Sequence, residues 1–177
     1  MTGHAQFTHT AGVNGSFAAS NAILGLRRRV DTTTVPRVTF TDPEVAAVGL
    51  DTDLHVVVRD HAHLDRAVAE SEVHGFTELV VDAKGRILGA TVVGPRAGET
   101  LGELSVAVRH GMRTRDLAGT THAYPTYNDG VWNATVDDIQ ARLRRPAIAR
   151  TISVLSIGRR RWVRSSVRRR LAQARSR

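Results

Sequence analysis

Apolar residues recur along this chain with two different periods. Phe76 to Asp82 and Arg86 to Gly94 are apolar segments rich in β-branched residues, separated by Ala83-Lys84-Gly85. Two such runs around a glycine-bearing turn predict a β-hairpin. Pro36 to Phe40 predicts a further strand, and so does Leu54 to Arg59 with its His-Val-Val-Val run. From Glu99 to Arg113 the period changes. Leu101, Leu104, Val108 and Met112 are spaced 3, 4 and 4 residues apart, which is one face of a helix. Arg109 and Arg113 sit near its C-terminal end, where the helix dipole favours cations. Asp129 to Leu143 repeats the helical pattern through Val131, Thr135, Ile139 and Leu143.

The N-terminal part is rich in small residues. Val13, Phe17, Ile23 and Leu24, set among Ala and Ser, predict a helix closed by Gly25. Gly12 and Gly15 weaken it, at about 1 kcal/mol each. Thr41-Asp42-Pro43-Glu44 has the residues of a helix start: a capping side chain, a proline for the first turn and an acid at the positive end of the dipole. It predicts a short helix stopping at Gly49. Leu64 to Glu72 is polar and predicts a turn of helix or a loop. Strands and helices without regular βαβ alternation predict an α+β fold, an antiparallel sheet with packed helices.

Charge divides the chain. From Arg142 to Arg177 there are 13 arginines and no acids, which leaves 12 basic and 17 acidic residues in positions 1 to 141. The overall charge of +8 therefore combines a body near −5 with a tail near +13. This sets a boundary close to Pro146. Ile148, Ile152, Leu155, Trp162, Val163, Val167 and Leu171 recur through the tail among the arginines. Three readings stay open for residues 146 to 177: a solvated tail, a basic amphipathic helix on an anionic membrane surface, or a nucleic-acid contact. Gly158 and Arg159-Arg160-Arg161 predict an interruption in any helix there.

Cysteine is absent. That removes disulfides, thiolate nucleophiles and dithiol redox pairs. No apolar run reaches the roughly 18–20 residues that span a bilayer, and no basic-then-apolar signal opens the chain. The expected location is cytoplasmic, or membrane-peripheral if the tail binds lipid. His55, His61, His63 and His74 lack the spacing of a ligand set, so no metal site is expected.

The densest chemistry lies in His122-Ala-Tyr-Pro-Thr-Tyr-Asn-Asp129. A histidine titrating near neutrality, two tyrosines and a carboxylate there suit hydrogen bonding and proton transfer. Tyr124 reads either as a packed interface aromatic or as a substrate-facing group. His122 reads either as a structural histidine or as an acid/base.

Three stretches together resemble a known family. They are Val38-Thr39-Phe40-Thr41-Asp42-Pro43-Glu44, the hairpin ending Gly89-Ala90-Thr91-Val92-Val93-Gly94, and His122 to Asp129. In that order they resemble the C-terminal interface domain of the class I pyridine nucleotide–disulfide oxidoreductases, the family of dihydrolipoamide dehydrogenase, glutathione reductase and mercuric reductase. The resemblance covers Pro36 to Leu143. Phe7-Thr8-His9 with the small-residue helix resembles the last piece of that family's FAD-binding domain. The resemblance implies domains at 1–35 (FAD-domain remnant), 36–145 (dimerisation) and 146–177 (basic tail), a homodimer, and cell redox chemistry linked to NAD(P)H.

It also implies roles. In the family a His-Pro pair reaches across the dimer interface to the partner's flavin and disulfide, and a glutamate orients the histidine. Tyr124-Pro125 stands at the His-Pro position and Asp129 at the glutamate position, with His122 two residues away. Tyr124, Asp129 and His122 are thus the candidate catalytic residues, acting in trans. The resemblance also implies a cis Tyr124–Pro125 bond. A tyrosine of ordinary pKa near 10 is a poor base at neutral pH, which sets Tyr124 apart from the disulfide-reducing branch. Phe7, Thr8 and His9 are the candidate cofactor contacts, with FAD bound only if the missing domains were present. The family's Gly-x-Gly-x-x-Gly turns and redox cysteines are absent, and the stretch from Gly49 to His55 is shorter than in its members. The expectation is a truncated, catalytically silent dimerisation domain. The alternatives are an oxidoreductase completed by domains encoded elsewhere, or a basic-tailed adaptor on a recycled fold.

Overall fold

The structure, a computed structural model, describes residues 7–52 and 55–175. By internal contacts the chain divides into two compact units, 1–138 and 139–177.

The first unit begins with helix α1 (Thr8–Leu24), closed by Gly25 in the left-handed conformation. Five strands follow: β1 (Arg37–Thr39), β2 (Glu44–Gly49), β3 (Val56–Asp60), β4 (Phe76–Val81) and β5 (Ile87–Gly94). A short 3-10 turn (His61–His63) and helix α2 (Asp65–Glu70) connect β3 to β4. Helices α3 (Ala97–His110), α4 (Thr114–Ala118) and α5 (Asp129–Leu143) come after the sheet. The strands form one antiparallel sheet in the order β1-β2-β5-β4-β3.

The expected α+β class, the hairpin and both C-terminal helices are present. Leu54, at the start of one expected strand, lies outside the described residues.

One expectation is overturned. Glu44 to Gly49 is strand β2, not a helix. Thr41 donates its hydroxyl to the Pro43 carbonyl instead of capping a helix, at 2.8 Å. The run Val45-Ala46-Ala47-Val48 is too short to show a period, so its conformation is decided by its neighbours. β2 lies between β1 and β5 and bonds to both. A strand in that position satisfies its backbone on two sides, which one isolated helical turn cannot do. Asp42–Pro43 and Tyr124–Pro125 are both cis.

The core lies between the sheet and the later helices. Val48, Leu79, Val81, Ile87 and Val92 from the sheet join Leu101, Leu104, Leu117 and Val131 in one buried cluster. The 3-and-4 spacing read from α3 is the reason: Leu101 and Leu104 point inward while Val106 and Arg109 face solvent.

In the second unit the tail forms helix α6 (Pro146–Arg175), which runs through Gly158 without the expected break. One interior glycine costs about 1 kcal/mol, and neighbouring like charges a few tenths of a kcal/mol per pair. A helix of 30 residues absorbs both. Val167 and Leu171 carry no described side chains. Among the described residues no helix is long and apolar enough to cross a membrane.

Candidate functional site

The segment from His122 to Asp129 joins α4 to α5. Trp132 in the first turns of α5 donates its indole N–H to the Ala118 carbonyl at 3.3 Å, which ties the two helices across it. His122, Tyr124 and Asp129 all line one cavity of about 390 Å³, together with residues of the α4–α5 connection and Trp132. The three sequence candidates are thus brought together. The chain here has turns rather than strand geometry, and both side chains border the same space.

Each residue is held differently. The side chain of His122 is only 8% exposed. Its Nδ1 faces the Thr120 carbonyl at 3.0 Å and its Nε2 faces Glu103 Oε1 at 2.9 Å. Both ring nitrogens are engaged, so the two contacts fix the orientation of the ring.

Glu103, on α3, accepts a second bond through Oε2 from Asn128 Nδ2 at 2.5 Å. One carboxylate thereby pins both ends of the segment.

Tyr124 is 69% exposed, and its hydroxyl donates to Asp65 Oδ2 at the start of α2. The hydrogen bond to Asp65, with that carboxylate's charge, raises the Tyr124 pKa above its ordinary value. Tyr124 is therefore held in its protonated form as a hydrogen-bond donor to Asp65, with the tyrosinate still scarcer at neutral pH than for the free side chain. Asp129 is 8% exposed, and its Oδ2 accepts the Thr126 backbone N–H at 3.0 Å as α5 begins. No hydrogen bond among the described residues links Asp129 to Tyr124 or His122.

Tyr127 is the buried tyrosine, 4% exposed, with its hydroxyl on Glu70 Oε2 at 2.8 Å. Burial, then the bond to Glu70, pushes its pKa up to about 12. Glu70 in turn is lowered by its bonds from Arg66 and Tyr127.

Glu103, Asp65 and Glu70 were not singled out in the sequence. Glu103 lies on the solvent side of an amphipathic helix, and the other two lie in a polar stretch. Only the proximity of α2 and α3 to the segment gives them a role.

The other candidates are placed apart. Phe7 stacks on His9, with ring centroids 5.1 Å apart and planes 13° apart. His9 Nε2 bonds the Pro36 carbonyl at 3.0 Å. Phe7, Thr8 and His9 are exposed at the start of α1. A cleft of about 750 Å³ is also elsewhere, lined by Arg29, Asp31, Arg86 and Arg109 among others. Burial alone would raise the Asp31 carboxyl. Hydrogen bonds from Thr34, Thr33 and Arg109 outweigh it and hold Asp31 well below the carboxylate range.

Of the four upstream histidines, His61 has a definite structural place. It is fully buried, bonds Thr77 Oγ1 at 3.0 Å through Nε2, and leaves Nδ1 without a partner. Among the described residues no group of three or more potential ligands gathers for a metal. Burial lowers the His61 pKa, against a smaller opposing effect of Asp60. In the unfolded chain the ring titrates near 6.5. Below that pH the unfolded state takes up a proton that the native state refuses, so stability falls as pH drops toward the lower native value. Above about pH 7 this contribution is flat. Denaturant midpoints measured from about pH 7.5 down to about pH 5 should show the loss, and His61→Gln should remove the part due to this ring.

Comparisons with known proteins fit this architecture. The family described as pyridine nucleotide-disulphide oxidoreductase, dimerisation domain, matches residues 35–135. Mercuric reductase of Lysinibacillus sphaericus is 35% identical over 135 residues, 71% of this chain and 25% of that protein. Dihydrolipoyl dehydrogenase of Geobacillus stearothermophilus is 38% identical over 130 residues, 68% of this chain and 27% of that protein. The crystal structure of LpdA from Mycobacterium tuberculosis superposes with a TM-score of 0.72 at 26% identity, covering 77% of this chain and 32% of that one. The HOCl-induced flavoprotein disulfide reductase RclA from Escherichia coli shares the fold at a TM-score of 0.67 and 23% identity, over 76% of this chain and 33% of its own. The chain spans about a quarter of the length of the curated relatives it matches.

Proposed function

Because this chain belongs to the family of pyridine nucleotide-disulphide oxidoreductase dimerisation domains, we propose that it forms the subunit contact of a homodimer and is catalytically silent by itself. The observation that carries this reading is the family match over 35–135, which takes in the whole sheet, α3, α4 and the first turns of α5. In domain terms, 1–35 is the end of a flavin-binding domain, 36–145 the dimerisation domain and 146–177 a basic tail.

The redox chemistry of the relatives, linked to FAD and NAD(P)H, would need the parts of those proteins that this chain does not span. The residues present do not fit a flavin. Phe7 and His9 stack on each other, the His9 ring nitrogen is engaged by Pro36, and the start of α1 offers an exposed edge rather than an enclosure. No catalytic step is derived through the cofactor.

Within the interface reading, the segment from His122 to Asp129 is what the domain offers to a neighbouring subunit. Tyr124 is its exposed aromatic, and Asp129 and His122 shape the cavity behind it. With its proton given to Asp65, the Tyr124 hydroxyl meets a partner or ligand as a hydrogen-bond acceptor, beside the exposed ring face.

Sedimentation velocity at micromolar concentration should give a dimer. The protein should be colourless, without flavin absorbance, and should not oxidise NAD(P)H. A monomer would overturn the interface reading. A yellow, NAD(P)H-oxidising protein would overturn the silent one.

Helix α6 favours a second role beside dimerisation. With nine arginines and no acid in its sequence, it presents a polycation suited to an anionic surface, lipid or nucleic acid.

A further inference from the structure

We infer that α6 is an anionic-membrane anchor, lying along the lipid headgroups with its apolar arc inward. This deepens the reading of the tail as a polyanion binder and is independent of the dimer.

The argument starts from what the helix exposes. Seven large apolar side chains of α6 are exposed: Ile148, Ile152, Val154, Leu155, Ile157, Trp162 and Val163. At 3.6 residues per turn, Ile148, Ile152, Leu155, Trp162 and Val163 fall within an arc of about 100°. Arg150 and Arg160 lie outside that arc. Arg159 lies within it, where a long aliphatic stem lets a guanidinium reach the aqueous side while its carbons stay with the apolar groups. Charge is also distributed along the axis. Pro146 to Gly158 contains one arginine, Arg150, and five of the seven apolar residues, whereas the arginine triplet opens the second half.

Three occupants compete for this face. A nucleic acid would satisfy the arginines, because phosphate neutralisation drives such binding. It would leave Ile152 and Leu155 facing water, since a phosphate-lined surface offers no apolar counterpart to an aliphatic arc. A second copy of α6 would cover the arc, but it would set arginine against arginine with no acid on either helix. An anionic bilayer answers both features together, with acyl chains at the level of the arc and lipid phosphates at the level of the arginines. Trp162, 67% exposed, is the type of side chain that settles at that boundary.

The test uses the full chain carrying Trp132→Phe, so that Trp162 is the remaining indole. The probes are vesicles of phosphatidylglycerol with phosphatidylcholine, vesicles of phosphatidylcholine alone, and a short DNA duplex. The expected result is co-sedimentation with the anionic vesicles only, with a blue shift of Trp162 emission. Ile152→Gln with Leu155→Gln, which leaves the net charge unchanged, should abolish vesicle binding while leaving DNA affinity within about threefold, because the phosphate term is blind to the arc. Arg159→Gln with Arg160→Gln should weaken vesicle binding about thirtyfold at low salt, from about 1 kcal/mol per arginine near such a surface.

No vesicle binding overturns the inference. So does vesicle binding that survives Ile152→Gln with Leu155→Gln, which would make α6 a charge-only polyanion binder. If that same pair instead dissociates a larger species in sedimentation, a second copy covers the face and the membrane assignment falls. Dimerisation through the domain at 36–145 is read separately in the same sedimentation runs without lipid, so failure of one reading is not failure of the other.

Discussion

Alanine at position 94 is expected to destabilise the first compact unit by about 3–5 kcal/mol, combining backbone strain with overpacking. Gly94 ends β5 at a φ of 146°, a conformation that side-chain-bearing residues rarely adopt. A Cβ there would lie 2.8 Å from His61 Nδ1 and 3.0 Å from His61 Cε1. The ring cannot move aside cheaply. It is fully buried, tethered to Thr77, and faces Gly75 and Gly130 on its other contacts. Since small domains hold only about 5–15 kcal/mol in total, such a loss should be visible as a large drop in the denaturant midpoint. A double-mutant cycle assigns the cause. In the His61→Ala background the steric part of the Gly94→Ala cost should disappear and the backbone part remain, giving a coupling of at least about 1 kcal/mol. Strict additivity would mean that the two positions do not meet as described.

The second large effect concerns the segment that carries the candidate chemistry. Glu103→Ala removes the acceptor for both His122 Nε2 and Asn128 Nδ2. Bonds to a charged acceptor contribute about 1.5–3 kcal/mol each. Partial exposure of Glu103 screens them, so a joint loss of about 2–4 kcal/mol is expected. More telling is where the loss appears. The amides of the segment between α4 and α5 should exchange with solvent much faster, while those of β4 and β5, whose pairing does not involve Glu103, should not. Glu103→Gln retains an oxygen acceptor and should recover part of the protection. If all amides accelerate alike, Glu103 serves the fold as a whole and not the segment.

The chain stated some of this openly. The β4–β5 hairpin was legible because two β-branched runs flank a glycine turn, a purely local signal. Helices α3 and α5 were legible because Leu101, Leu104, Val131 and Thr135 repeat at helical spacing and face the core. β2 was not. Thr41-Asp42-Pro43-Glu44 carries a genuine helix-start pattern, and only pairing with β5, far along the chain, overrides it. The site shows the same division. The crowding of polar side chains in 122–129 is visible in sequence. Their anchors, Asp65 and Glu103, are visible only after folding. His61 illustrates the limit for histidines. Spacing argued only against a metal ligand; depth of burial and three neighbouring glycines make it a packing residue.

The strand order has a consequence for how the protein is made. β5 sits at the centre and bonds β2 on one side and β4 on the other. β2 leaves the ribosome first, and its long-range partner follows roughly forty residues later. Until then the run Val45 to Val48 has only the three-residue β1 beside it, and its other edge is open on a growing chain. The hairpin partners, by contrast, meet almost as soon as they are synthesised. Nascent chains therefore pass through a stage in which the sheet can be completed wrongly by another chain's strand, and that interval is where a chaperone would matter most.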